Sequence, residues 1–179
     1  MAKLNAYDVI TNKVIEQLEQ VDPDNWSKPW VSAGNCGLHV SMSTGNAYRG
    51  INQFLLLMSG CSDNRWGTYK AWQDKGAQVN KGEKGTQVVF FNIFEKAKDD
   101  GSVSKIPFAF EELIAEMGAV FACAADGIEA TPRPDHAEYI AHWLKVLRKD
   151  SRAIVSAAKQ AQLAFEYIDA FSGEQIMAA

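Results

Sequence analysis

Apolar residues recur every three or four positions at the start of the chain: Leu4, Tyr7, Val9, Ile10, Val14, Ile15, Leu18 and Val21. That spacing predicts an amphipathic helix over 3–21, ending before Pro23. A proline- and glycine-punctuated loop carrying Trp26 and Trp30 follows over 22–37, then a short strand over 38–42 and a Ser-Thr-Gly-Asn turn at 43–46. The run Ile51, Phe54, Leu55, Leu56, Leu57, Met58, closed by Gly60, lacks β-branched residues after Ile51 and suits a short buried helix. Thr68 can cap a helical turn over 69–75, with Gly76 as its stop. TQVVFFNIF at 86–94 reads as a strand, and Asp99-Asp100-Gly101 supplies the turn of a hairpin over 86–108.

From there the pattern changes. Residues 110–126, 134–149 and 151–170 are alanine-rich with helical spacing, separated by Gly127 and by the break at Pro132 and Pro134. Their apolar faces, Leu113, Ile114, Met117, Val120 and Phe121, then Tyr139, Ile140, Trp143, Leu144 and Leu147, then Ile154, Val155, Leu163, Phe165 and Ile168, predict a helical bundle. The expected fold class is α+β: helices packed on a small antiparallel sheet over 1–109, followed by a three-helix segment over 110–179.

Composition narrows the class. The 179 residues, 47% hydrophobic and 22% charged, suit one compact domain or two very small ones and exclude wholesale disorder. No apolar run approaches the roughly 18 to 20 residues of a membrane span, and the first residues lack the apolar centre of a secretory signal. Cys36, Cys61 and Cys123 are odd in number and widely spaced, which disfavours a disulfide framework. The expectation is a cytoplasmic protein without a membrane partner or a cofactor.

Charge divides along the chain. Residues 1–109 carry 12 Lys and Arg against 11 Asp and Glu, whereas residues 110–179 carry 6 against 11, so the net of −4 hides a nearly neutral half and an acidic one. Single-stranded nucleic acid needs cations for its phosphates and flat side chains for its bases. Residues 44–84 interleave Tyr48, Trp66, Tyr69 and Trp72 with Arg49, Arg65, Lys70, Lys81 and Lys84, and Gly45, Gly50, Gly82 and Gly85 permit close backbone approach. The competing interpretation makes the aromatics core residues and the lysines a solvated face.

Three blocks carry a resemblance: ITNKVIEQLEQ at 10–20, TGNAYRGIN at 44–52 and RWGTYKAWQDKGAQVNKGEKGTQVVFF at 65–91. They are similar to the N-terminal single-stranded-DNA-binding domain of ArdC-type antirestriction proteins. The resemblance implies a plasmid- or phage-borne protein that binds single-stranded DNA and protects incoming DNA from host restriction. It assigns backbone or base-edge contacts to Arg49, Asn52, Lys70, Lys81 and Lys84, and stacking to Tyr48, Trp66 and Tyr69.

Residues 110–128 and 136–168 resemble the last helices of the zincin-like metallopeptidase domain of the same proteins. A zincin needs two histidines four residues apart on one helix with a glutamate beside the first. His39, His136 and His142 are the full set here, and no pair has that spacing. Glu112, with Glu116 one turn on, matches the family's later ligand position, orphaned without the histidines. As a plain structural feature the pair is an acidic helix start. The family pattern implies an internal deletion near 109–110, a chain without peptidase activity, and helices that must cover their apolar faces on the first domain or on a second copy. Two rival functions follow from the same residues: acidic helices that bind a host restriction or defence enzyme, and a peptidase recruiting zinc through Glu112, Glu116 and His136 or His142.

Overall fold

A computed structural model describes residues 5–20, 37–89, 108–128 and 136–177, with side chains from 110 in the third stretch and over 141–171 in the last. Helix α1 spans Ala6–Glu19 and begins in a capping box, in which the Asn5 side chain accepts from the Asp8 N–H and the Asp8 carboxylate accepts from the Asn5 N–H. It buries Ile10, Val14 and Leu18 of the predicted stripe, and Thr11 beside them. Strand β1 is Val40–Ser41, helix α2 is Ile51–Leu57, strand β2 is Arg65–Trp66 and helix α3 is Tyr69–Asp74. Thr68 caps α3 as expected, its side chain accepting from the Ala71 N–H, and Gly76 ends the turn at φ +76°, a conformation glycine adopts without strain.

The sheet corrects one expectation. Its two described strands run parallel, with Val40 opposite Arg65 and Ser41 opposite Trp66. Helix α2 lies between the strands in sequence, and a helical crossover returns the chain in the same direction. Among the described residues the antiparallel element is a single bridge from Val40 to Ala47. Residues 86–89, expected to open the strand over 86–94, pair in no sheet among the described residues. The rest of that hairpin, and Trp26 and Trp30, lie outside the described residues.

Three helices complete the chain: α4 Phe108–Ala125, α5 His136–Lys149 and α6 Ala153–Met177. Their apolar faces meet those of α1 and α2 in one cluster that includes Val14, Phe54, Met117, Phe121, Trp143 and Ile154. The expected boundary near 109 thus separates two stretches of sequence that share a core. Thr11 Oγ1 donates to the Ser151 carbonyl at 2.7 Å, Arg148 pairs with Glu19, and the Arg152 guanidinium sits 5.6 Å from the centre of the Tyr7 ring. Together they fasten α1 to the α5–α6 turn.

On α6 the buried face includes Ile154 and Phe165, as predicted, but departs from the expected set elsewhere. Ala157, Ala158 and Ala161 are fully enclosed, while Leu163 and Ile168 are 56% and 59% exposed. The small residues let α6 approach α4 closely: a Cβ on Gly118 of α4 would lie 3.9 Å from the Ala161 carbonyl oxygen. Among the described residues, no helix is long and apolar enough to cross a membrane.

Candidate nucleic-acid interface

The loop over 39–50 is built from its backbone inward. The buried Gln53 amide, oriented to satisfy its neighbours, accepts from the His39 N–H at 2.8 Å and donates to the His39 and Tyr48 carbonyls at 3.1 Å. His39 is itself buried, and its Nδ1 accepts from Trp66 Nε1 at 2.6 Å. The bond leaves the proton of the neutral ring on Nε2. Burial pushes the His39 pKa down, opposed by the Asn64 backbone and the Asp63 charge. Trp66 is thus half-buried and tethered through its ring nitrogen, with the two rings edge to face at 5.6 Å.

Beyond β2 the chain turns outward. None of α3 is buried, and Lys70, Lys75, Lys81 and Lys84 are exposed and make no ion pair among the described residues. Tyr69 is 53% exposed, with its hydroxyl accepting from Gln78 Nε2 at 2.7 Å, while Trp72 and Tyr48 are half-buried. The Met42 side chain packs against Gly67 at the start of this arm, where a Cβ would overlap it. Arg65 is not available in the same way. Its guanidinium donates to both oxygens of Asp63 at 3.0 and 2.6 Å, and that pairing holds the Asp63 carboxyl at about 2.

The arm returns to the body at Val89. Asn52 Nδ2 donates to the Val89 carbonyl at 2.7 Å, and Asn52 Oδ1 accepts from the Val89 N–H at 2.8 Å. The amide is spent inside the protein, so Asn52 anchors the segment that carries Lys81 and Lys84. Arg49 likewise has a partner in place, donating to Glu166 Oε2 of α6 at 2.6 Å. The Gly50 N–H donates to Gln162 Oε1 at 3.0 Å, and Gln162 Nε2 donates to Glu166 Oε1 at 2.8 Å.

Of the residues expected at the site, Tyr69, Lys70, Lys81 and Lys84 share one exposed arm, with Tyr48, Arg49 and Trp66 at its base. His39, Gln53, Gln162 and Glu166 bond to the expected residues or to the loop that carries them, and sequence reasoning misses them. Gln53 alone carries a local signal, a polar residue next to Asn52 in a helix whose other residues are apolar; the others act through partners distant in sequence.

The orphaned acidic pair lies elsewhere. Glu112 and Glu116 are half-buried on α4, and Glu112 Oε2 is enclosed without a hydrogen-bond partner among the described residues. No group of three His, Cys, Asp or Glu side chains that could hold a metal ion occurs among the described residues.

Comparison with known proteins bears on both features. Residues 4–120 match the family described as the N-terminal domain of anti-restriction factor ArdC, and residues 95–160 match a zincin-like metallopeptidase family. Two Escherichia coli proteins named DNA primase TraC are 43% identical over 91 residues and 36% identical over 102, which is 50% and 55% of this chain. The chain spans under a tenth of their length, 6% and 9%. The uncharacterized protein y4eC of Sinorhizobium fredii is 23% identical over 281 positions, covering 92% of this chain and 91% of that one. Since 92% of 179 residues is about 165, more than a hundred of those positions face gaps here. In fold, the chain is similar to crystal structures of the antirestriction ArdC protein from the R388 plasmid. The metal-free form gives a TM-score of 0.66 at 20% identity and the Mn(II)-bound form 0.68 at 22%, each over 91% of this chain and 96% of the other.

Proposed function

The chain belongs to the ArdC anti-restriction family, and from that premise we propose that it is a single-stranded-DNA-binding antirestriction protein of a plasmid or phage. The observation that carries the DNA reading is the arm over 67–89, which carries four exposed lysines, in no ion pair among the described residues, together with the exposed Tyr69 ring. Cations on a projecting segment reach phosphates with little reorganisation, and an exposed aromatic face accepts an unpaired base. Lys70, Lys81 and Lys84 take the phosphates and Tyr69 the base. Tyr48 and Trp66 offer edges at the base of the arm, and Asn52 holds the arm's far end.

Peptidase activity is left out of this function. The zincin-like likeness and the Mn(II)-bound relative raise a metal site, but the donors here do not fit one. His39 is committed to Trp66, no HExxH pattern exists in the chain, and Glu112 with Glu116 makes at most two ligands where a tetrahedral site takes three or four. The more than one hundred y4eC positions without a counterpart here fit a chain that is shortened internally. Its remaining helices then serve as the platform on which α1 and α2 pack.

Fluorescence anisotropy with a labelled single-stranded oligonucleotide and its duplex, at two salt concentrations, tests the reading. Preferred binding of the single strand, weakening steeply with salt, is expected; equal affinity for duplex or a salt-independent affinity counts against it.

A further inference from the structure

Arg49, at the base of the arm, is occupied by a carboxylate from the opposite end of the chain. Its guanidinium is 66% exposed yet bonded to Glu166, and Glu166 is oriented by Gln162, which also holds the Gly50 N–H. The loop sits close on α6: a Cβ at Gly50 would lie 3.7 Å from the Ala158 carbonyl oxygen, and φ at Gly50 is +54°. Both Glu166 oxygens lie against the Arg49 Nη2, so the negative charge that a phosphate would bring to this guanidinium is already in place.

We propose that Glu166 is an intramolecular stand-in for phosphate, an acidic latch that DNA must displace from Arg49, so that α6 sets the affinity of the interface. The inference rests on the single-stranded-DNA reading. Because the pair is exposed and salt-screened, the latch is weak and reversible, suited to tuning affinity and not to blocking it. Binding of the strand then exchanges one charge partner for another at Arg49 and frees the Glu166 carboxylate to solvent.

The test uses the full chain and a labelled oligo-dT. Glu166→Gln keeps the side-chain shape and removes the charge, and it should tighten binding roughly two- to fivefold at low salt, the range expected for an exposed ion pair. In Arg49→Ala, adding Glu166→Gln should change affinity far less. Asp169→Asn removes a neighbouring, exposed α6 carboxylate that makes no ion pair with Arg49, and its effect should be clearly smaller. The latch is overturned if Glu166→Gln binds no tighter than the parent, if Asp169→Asn matches it, or if the gain persists without Arg49. A parent chain that binds oligo-dT normally in those cases leaves the DNA reading standing. A parent that does not bind it removes both.

Discussion

Asn52 and Val89 are joined by two hydrogen bonds, side-chain amide to main chain, which reproduce across 37 positions of sequence the donor and acceptor pair of a β-ladder. Removing that amide leaves the Val89 N–H and carbonyl to find water. Asn52→Ala should cost about 1–3 kcal/mol of stability in chemical denaturation and speed hydrogen exchange at the Val89 amide. Asn52→Asp keeps the acceptor for the Val89 N–H but sets a carboxylate oxygen against the Val89 carbonyl, so it should not rescue. Either variant should also weaken DNA binding, since the segment carrying Lys81 and Lys84 loses its far tether. Undiminished protection at Val89 in Asn52→Ala would show that the amide does not hold it.

The His39–Trp66 bond gives stability a pH dependence with a definite sign. His39 is neutral in the folded protein and its pKa is held below the ordinary 6.5. Above that value both folded and unfolded chains carry the neutral ring, and stability is complete. As pH falls through 6.5 the unfolded chain takes up a proton that the folded one refuses, so stability declines. Asp63 adds a lower window. Its carboxyl is held at about 2 against an ordinary 3.8, so its contribution is present above about 4 and lost as pH falls toward 2. Denaturation midpoints measured from about pH 8 to about pH 5 should fall in the parent and fall less in His39→Phe.

The shared core makes a prediction about the two halves. Ile10, Val14 and Leu18 of α1 are at most 3% exposed, and the helix packs on α5, which lies beyond residue 109. A fragment of residues 1–109 would bare that stripe. It should lose cooperative thermal unfolding and bind an apolar dye, and Phe121→Ala in the full chain should cost about 3–5 kcal/mol. A fragment that unfolds cooperatively near the parent's midpoint would restore an independent first domain.

Which parts can be read in advance follows from the range of the forces involved. The stripe on α1, the Thr68 cap and the Gly76 stop are local: each depends on residues within one or two turns. Strand β2 is two residues long and carries no periodicity, so it exists only through its pairing with β1. On α6, large side chains usually mark the buried side, and that rule finds Ile154 and Phe165 but also points to Leu163 and Ile168, which are exposed. The close α4–α6 approach instead selects Ala157, Ala158 and Ala161. The basic and aromatic residues of the arm are visible in the sequence as a cluster, but the carboxylate that meets Arg49 lies 117 positions away. No spacing rule connects them.

Stacking and electrostatics at the arm can be separated by two sets of variants. Tyr69 exposes its ring on α3 and spends its hydroxyl on Gln78. A base that stacks there uses the ring face, which Tyr69→Phe preserves. Tyr69→Phe should therefore bind single-stranded DNA within about twofold of the parent, whereas Tyr69→Ala should lose about 1–3 kcal/mol with the salt dependence unchanged, because no cation is removed. Lys81→Ala and Lys84→Ala should behave oppositely. Taking one cation away from the phosphates of a single strand should flatten the slope of log affinity against log salt by about 0.7. Both lysines are exposed and make no ion pair among the described residues, so their removal should leave the unfolding midpoint near the parent's. A slope that stays the same in the double lysine variant would take the 81–85 turn out of the interface, and a loss in Tyr69→Phe equal to that in Tyr69→Ala would assign the interaction to the hydroxyl and not the ring.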